Sequence, residues 1–304
     1  LVQAPSGRSS ELATGQAIRP LARRRRQLQV VFLLAALVLS GCSVRKIAYN
    51  FANRFLVTKL VDTFDLDRAQ KKQAQAAVTA IHKWHRSSEL PQYVQFLDQL
   101  CEKLGDGLSR DEVLWMLQQG EGAFERVARR IAPDMAALLV SLTPAQVAHS
   151  QSELQKGSQE RFERLEAPEQ EYVNFRLKRA RKNMTTWMGS YTDGQISDFE
   201  RFIRENRPEE LRRQKDNEQS RQILVAALTD HASAAAIETL LLNWMTKQQA
   251  RPTDAVQRAE ERNRDDFVDL VLNIDRSLSP AQRQHLLKEL RTLRTELYEL
   301  SIGQ

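Results

Sequence analysis

Glycine is scarce, with 11 in 304 residues. None of the 11 forms a phosphate loop, a dinucleotide fingerprint or a Gly-x-Ser-x-Gly elbow, so the enzyme classes built on those turns have no motif here. Cysteine is scarcer: Cys42 and Cys101 are the whole supply, too few for a disulfide framework. No long hydrophobic run exists. The longest, residues 30–39, is ten residues, and a bilayer-spanning helix needs about 20. β-branched runs are short and no window alternates at period two, so no strand is predicted. A sustained basic excess is missing too. The chain carries +6, but residues 1–41 hold six arginines against Glu11, or +5, which leaves +1 for the remainder. A nucleic-acid binder needs a retained basic surface, so nucleic acid is not an expected partner.

What is present is loudest at the N-terminus. Four arginines at 23–26 precede the apolar run; Ser40, Gly41 and Cys42 follow it. Basic flank, short apolar core and small residues are the order of an export signal. Leu39-Ser40-Gly41-Cys42 resembles the lipobox of bacterial lipoproteins. The resemblance implies cleavage before Cys42 and acylation of its thiol and new amine. Ser43, in place of Asp, implies sorting to the outer membrane, on its periplasmic face. The chain then divides into a signal peptide (1–41), a lipidated tether (42–50) and a helical periplasmic domain (51–304). Because the first methionine is Met116, residues 1–20 are expected to be an over-extended start. With Cys42 acylated, Cys101 has no partner within the chain; set among Leu97, Leu100 and Leu104, it reads as a small buried side chain.

Apolar residues recur at helical spacing along the rest. Val113, Leu117, Phe124, Val127 and Ile131 form one stripe; Val173, Leu177, Ala180, Met184 and Trp187 another; Leu286, Leu290, Leu293, Leu297 and Leu300 the cleanest. Pro91, Pro133, Pro144, Pro168, Pro208, Pro252 and Pro280 are placed at helix starts, where the missing N–H is tolerated. The expected fold is all-α: an elongated multi-helix bundle of about nine or ten helices with short turns and no sheet. Three segments, 151–171, 205–221 and 247–264, are nearly all polar, and are expected to project or to await a partner.

One local pattern recurs: an apolar residue, then Ser, Thr or Asp, then Gln or Glu three positions on. It starts at Leu66, Leu108, Leu142, Tyr191 and Leu278. This is the capping box, in which the cap oxygen accepts from an early helix N–H and the Gln or Glu reaches back to the cap N–H. Val113, Val147 and Ile196 fit the accompanying hydrophobic staple. The Leu-Thr-x-x-Gln form is similar to that of the periplasmic Spy and CpxP-like family, although plain capping explains it as well.

Ala48-Tyr49-Asn50, the aspartates 62 and 65, and the block "WHRSSELPQY" at 84–93 carry a second resemblance. Together with the lipobox they resemble an uncharacterised Gram-negative lipoprotein family, domain of unknown function 6279. That implies an envelope location and a helical fold, and supplies no activity. At the block and just before it, His85 and His82 share a helix face and Glu89 follows one turn later. Two imidazoles and a carboxylate can ligate Zn²⁺ or Cu²⁺. The alternative is a structural corner in which the helix ends by Glu89, Trp84 packs inward, Arg86 and Glu89 pair or cap, and Leu90-Pro91 starts the next helix. Trp84, Arg86 and Tyr93 are also candidate partner-binding residues. Asp62, Asp65 and Asp67 form an acidic cluster that lacks calcium-loop spacing. Arg176, Lys178, Arg179, Arg181 and Lys182 form a basic knot suited to anionic lipid or to plain solvation. His149, His231 and His285 stand alone. The functional expectation is a non-catalytic binding, scaffold or chaperone-like role for a membrane-anchored protein. No cofactor is expected beyond the lipid on Cys42, and the expected partner is an envelope protein. The alternative is metal binding or sensing through His82, His85 and Glu89.

Overall fold

The computed structural model describes residues 42–246 and 254–303. The expected signal peptide, most of the lipobox and Pro252 lie outside the described residues. Ten α-helices and one π-turn follow in order: α1 (Cys42–Phe64), α2 (Arg68–Trp84), the π-turn (His85–Glu89), α3 (Leu90–Lys103), α4 (Arg110–Leu139), α5 (Pro144–Glu166), α6 (Glu169–Met188), α7 (Asp193–Thr229), α8 (Ala234–Thr246), α9 (Asp254–Ser277) and α10 (Pro280–Ile302). The described residues contain no strand. Residues 42–50, expected as a tether, are the first turns of α1.

Every predicted capping box forms. Asp67, Ser109, Thr143, Thr192 and Ser279 each accept from the backbone of the third residue on, and each third residue reaches back. The staple residues Val113, Val147 and Ile196 are buried behind them. Four of the five boxes then do something their local sequence does not announce. Gln70 and Gln146 exchange amide hydrogen bonds of 3.1 and 2.6 Å, and Gln195 and Gln282 exchange bonds of 3.3 and 3.0 Å. Remaining amide hydrogens cross to the opposite corner. Gln70 donates to the Ser141 carbonyl at 2.8 Å, and Gln146 to that of Asp65 at 2.7 Å. Gln195 donates to Ser277 Oγ at 3.0 Å, and Gln282 to the Ser190 carbonyl at 3.0 Å. All four glutamines are buried. Two helix corners are thereby locked face to face at each node: α1–α2 against α4–α5, and α6–α7 against α9–α10. Only a side chain that both donates and accepts can enter such an exchange, and a carboxylate only accepts. The unpaired fifth box is the one with a carboxylate, Glu112.

Backbone geometry follows the corners. Asp65 (φ 49°) takes the left-handed conformation, which Asp tolerates better than most residues; its carbonyl is the one Gln146 holds. Gly189 (φ 77°) turns α6 toward α7 where a Cβ would lie 3.2 Å from the His285 ring. A third corner, α3–α4, is tied to α9–α10 by the buried Asp275. Its carboxylate accepts from Leu108 N at 2.8 Å and Arg283 Nη1 at 2.9 Å.

Three expectations about the helices need correction. Pro133 and Pro208 lie inside α4 and α7 rather than at starts. An interior proline costs about 3 kcal/mol, and long-range packing outweighs it. Ala132 and Ala136, either side of Pro133, are buried in one cluster with Ile237 and Leu241 of α8. Beside Pro208, Arg207 donates to the Leu165 carbonyl at 2.7 Å. Phe124 is 53 % exposed, and the buried face of α4 is instead Ala128, Ala132 and Ala136. The small side chains let α8 come close, so the bulky residue the stripe favoured turns outward. Finally, the polar segments partner one another. On α5 and α7, Ser158 donates to Glu218 at 2.8 Å and accepts from Gln214 at 3.0 Å. On α7 and α9, Arg213 meets Asn263 at 2.9 Å and Arg212 meets Glu260 at 3.1 Å. Asn263 also bonds Asn206. This zone of the bundle is held by polar contacts in place of a continuous apolar core, with Arg213 Nε and Arg221 Nε buried and without a hydrogen-bond partner.

Candidate functional site

The densest cluster of chemistry-bearing side chains surrounds the π-turn. Pro91 has no N–H and its ring crowds the carbonyl four residues back, which should end a helix. The chain instead takes the wider π geometry, with Leu90 N bonding the His85 carbonyl five residues back. α2 and α3 therefore run as one rod through the W-H-R-x-x-E-L-P-x-Y block. The expectation that the helix stops by Glu89 is corrected on this point. The widened turn changes which side chains face inward. Glu89, at 1 % exposure, points into the bundle and takes a two-pronged contact from Arg126 of α4, Nε to Oε1 at 2.9 Å and Nη2 to Oε2 at 3.0 Å. Arg86 points the other way, donating to the Gly303 carbonyl at 2.6 Å and to Asn50 Oδ1 at 2.5 Å. The expected Arg86–Glu89 pair is absent.

Tyr49 of α1 joins the two histidines. Its hydroxyl lies 3.0 Å from His85 Nδ1, and its carbonyl 3.1 Å from His82 Nε2. The Tyr49 ring packs 4.7 Å from that of His82 beneath the Arg86 guanidinium at 5.5 Å. Tyr93 meets His85 edge-on at 5.5 Å, and Trp84 meets it at 6.4 Å. Burial lowers the pKa of both imidazoles; at His85 the Glu89 charge opposes that and His82 adds to it. The Tyr93 hydroxyl is pushed up to about 12 by burial and then by the neighbouring Glu89 carboxylate. The cluster is thus a half-buried aromatic–imidazole layer above the buried Glu89 carboxylate and its partly exposed partner Arg126. It fastens α1, the π-turn rod, α4 and the end of α10 to each other.

The expected metal set is not brought together. His82 and His85 are engaged by Tyr49 and Glu89 by Arg126, and among the described residues no group of three or more His, Cys, Asp or Glu is placed to hold a metal ion. Trp84, Arg86 and Tyr93, the candidate partner-binding residues, all contribute to the cluster and are half-buried there. Of the acidic trio, Asp67 caps α2 and the Asp62 carbonyl meets His149 Nε2 at 3.2 Å. In the basic knot, Arg176 pairs with Glu210 at 2.6 Å. His285 Nε2 lies 3.2 Å from the Thr186 carbonyl. Cys101 is half-buried and free, its thiol pKa raised chiefly by burial.

One concave feature has no signature in the local residue pattern. Leu142, Pro144, Val147, Ala148 and Gln151, at and just before the start of α5, face Leu228, Thr229 and His231, at and just after the end of α7, and line a mostly apolar groove of about 180 Å³. Its two walls come from residues about 80 positions apart in the chain, which is why local patterning does not reveal it.

Fold and cluster together define an all-helical protein whose most distinctive sequence block serves as a joint between helices. Residues 62–251, more than half of the chain, match the model of the family of unknown function DUF6279, and the chain belongs to that family. No curated protein and no solved structure matches it. The Spy and CpxP-like resemblance has no match behind it. In this chain the pattern is explained by the paired caps.

Proposed function

We propose that this protein is a lipoprotein of the outer membrane, anchored through Cys42 on the periplasmic face, with a non-catalytic binding or scaffolding role toward an envelope protein or folding client. The observation that carries the reading is continuity. The lipobox runs straight into α1, whose helix begins at Cys42. Three residues on, Arg45 is buried against Glu296 of α10 at 3.1 Å. An acyl group at position 42 is thereby joined to the bundle with no linker between them. Two or more acyl chains give stable anchoring where one does not. Among the described residues no helix is long and apolar enough to cross a membrane. For the binding role, the support is the α5–α7 groove, whose apolar lining and bundle setting suit one face of an amphipathic segment.

Two experiments test this. Cells fed labelled palmitate should incorporate it into the wild-type chain and not into Cys42→Ala, and the label should fractionate with outer membranes. A photo-crosslinking residue at Ala148 should capture one defined envelope protein that the same residue at Phe175, exposed on α6, does not. Palmitate-free protein would remove the anchor. Identical capture from both positions would remove the groove.

A further inference from the structure

We propose that the outward face of the first half of α1 is a lipid-contact surface, lying in the headgroup region of the leaflet that holds the anchor; this rests on the anchored reading above. Val44, Ile47 and Phe51 are 42 %, 53 % and 54 % exposed. Spacings of three and four place them on one face of the helix. The opposite face is spent on the bundle, through Arg45 to Glu296 and Tyr49 to His82 and His85. Lys46 pairs with Glu299 at 2.7 Å, which holds the last turn of α10 alongside; there Tyr298 and Ile302 are 46 % and 63 % exposed. Exposed apolar residues elsewhere, such as Phe124, Phe175 and Ile223, stand singly, as is ordinary on protein surfaces.

Charge selects the occupant. Residues 42–61 contain no Asp or Glu, whereas Arg54 and Lys59 are exposed one and two turns beyond Phe51. On α1 itself the apolar stripe is followed by cations and by no acid, and the nearest exposed acid, Glu299 of α10, is neutralised by Lys46, so the free cations of this face can meet anionic headgroups in a membrane interface. The stripe also starts two residues after the residue expected to carry the acyl chains. At a rise of about 1.5 Å per residue, Val44 to Phe51 lies within roughly 15 Å of that point along the axis.

The test uses the mature acylated chain, reconstituted into vesicles of phosphatidylethanolamine and phosphatidylglycerol. Cys101→Ser removes the free thiol, and nitroxide labels are placed through Ile47→Cys, Phe51→Cys or, as an aqueous control, Phe124→Cys. Oxygen and a water-soluble nickel chelate then compete for collision with the label. The expected result is oxygen-dominated relaxation at 47 and 51, at a depth of about 5–10 Å below the headgroups, with nickel-dominated relaxation at 124. Labels at 47 and 51 as nickel-accessible as that at 124 overturn the proposal. So do labels shielded from both agents, since that pattern means that a second protein copy covers the face. Failure of the anchored reading looks different: the chain does not float with the vesicles at all, and the proposal falls with it.

Discussion

Replacing Gln195 with alanine is expected to destabilise the protein by about 2–4 kcal/mol, far more than an ordinary cap. The figure has two parts. Gln195 Oε1 accepts from Thr192 N at 2.9 Å, and losing that half of a capping box is worth about 1 kcal/mol. The amide also donates to Ser277 Oγ and exchanges bonds with Gln282, all at 1 % exposure. Leaving such buried groups short of partners adds about 1–3 kcal/mol. For a chain of this size the sum is a fall in Tm on the order of 5–15 °C. The assay is urea unfolding followed by circular dichroism, with an unchanged slope confirming that the denatured state is unaltered. Glu112→Ala is the internal control, because that box pairs with no other box and its glutamate is half-buried, bonded to Lys103 at 3.3 Å, where Gln195 is fully buried; its midpoint should move measurably less. Gln195→Ala combined with Gln282→Ala should cost less than the sum of the two, by about 0.5–3 kcal/mol. Gln195→Ala with Gln70→Ala should be additive, because the two nodes share no partner. Equal losses for Gln195→Ala and Glu112→Ala, or strict additivity within the Gln195–Gln282 node, would refute the paired-cap reasoning.

Arg45→Ala strands Glu296 in the bundle and should cost about 3–5 kcal/mol by thermal or urea unfolding, whereas Arg45→Met with Glu296→Leu should be neutral or stabilising, since Arg45 Nε and Glu296 Oε1 already lack partners. For the Glu89–Arg126 pair the two alanine variants should differ: Arg126→Ala leaves a carboxylate at 1 % exposure unpaired, while Glu89→Ala leaves a guanidinium already 40 % exposed to water, so Arg126→Ala should unfold at lower urea and the reverse order would disprove the assignment. Both His82 and His85 have pKa values lowered by burial, so between the folded value and about 6.5 the unfolded chain binds more protons. Their contribution is intact above about pH 6.5 and is lost as pH falls from there toward the folded pKa. Tm should therefore drop on acidification through that window, and His82→Gln with His85→Asn should flatten the drop; an unchanged pH profile in that variant would show that other groups carry it.

Much of the helical plan was legible from residues a few positions apart. The five caps could be read because their energy is local: a side chain, its own backbone and a residue three positions on are enough. Even the choice of Gln or Glu carried information, since the four amide boxes are the four that pair. The groove, the mutual satisfaction of the polar segments and the fate of the WHRSSELPQY block were not legible. Ser158 finds Glu218 and Gln214 only because α5 and α7 lie side by side. Phe124 satisfied the helical period and was still turned out, because the close approach of α8 favours alanine.

Residues a few positions apart were enough to establish a helical chain, the sites of its five capping boxes and three staple contacts, and the charges on offer. The partners of those charges were decided by tertiary structure alone. Arg86 had Glu89 three residues away and went to Asn50 and Gly303; Glu89 went to Arg126. The physical reason is that a hydrogen bond is set by distance and angle in space, and one extra residue of π-turn rotates a side chain away from its sequence neighbour and toward a helix that the sequence places far off.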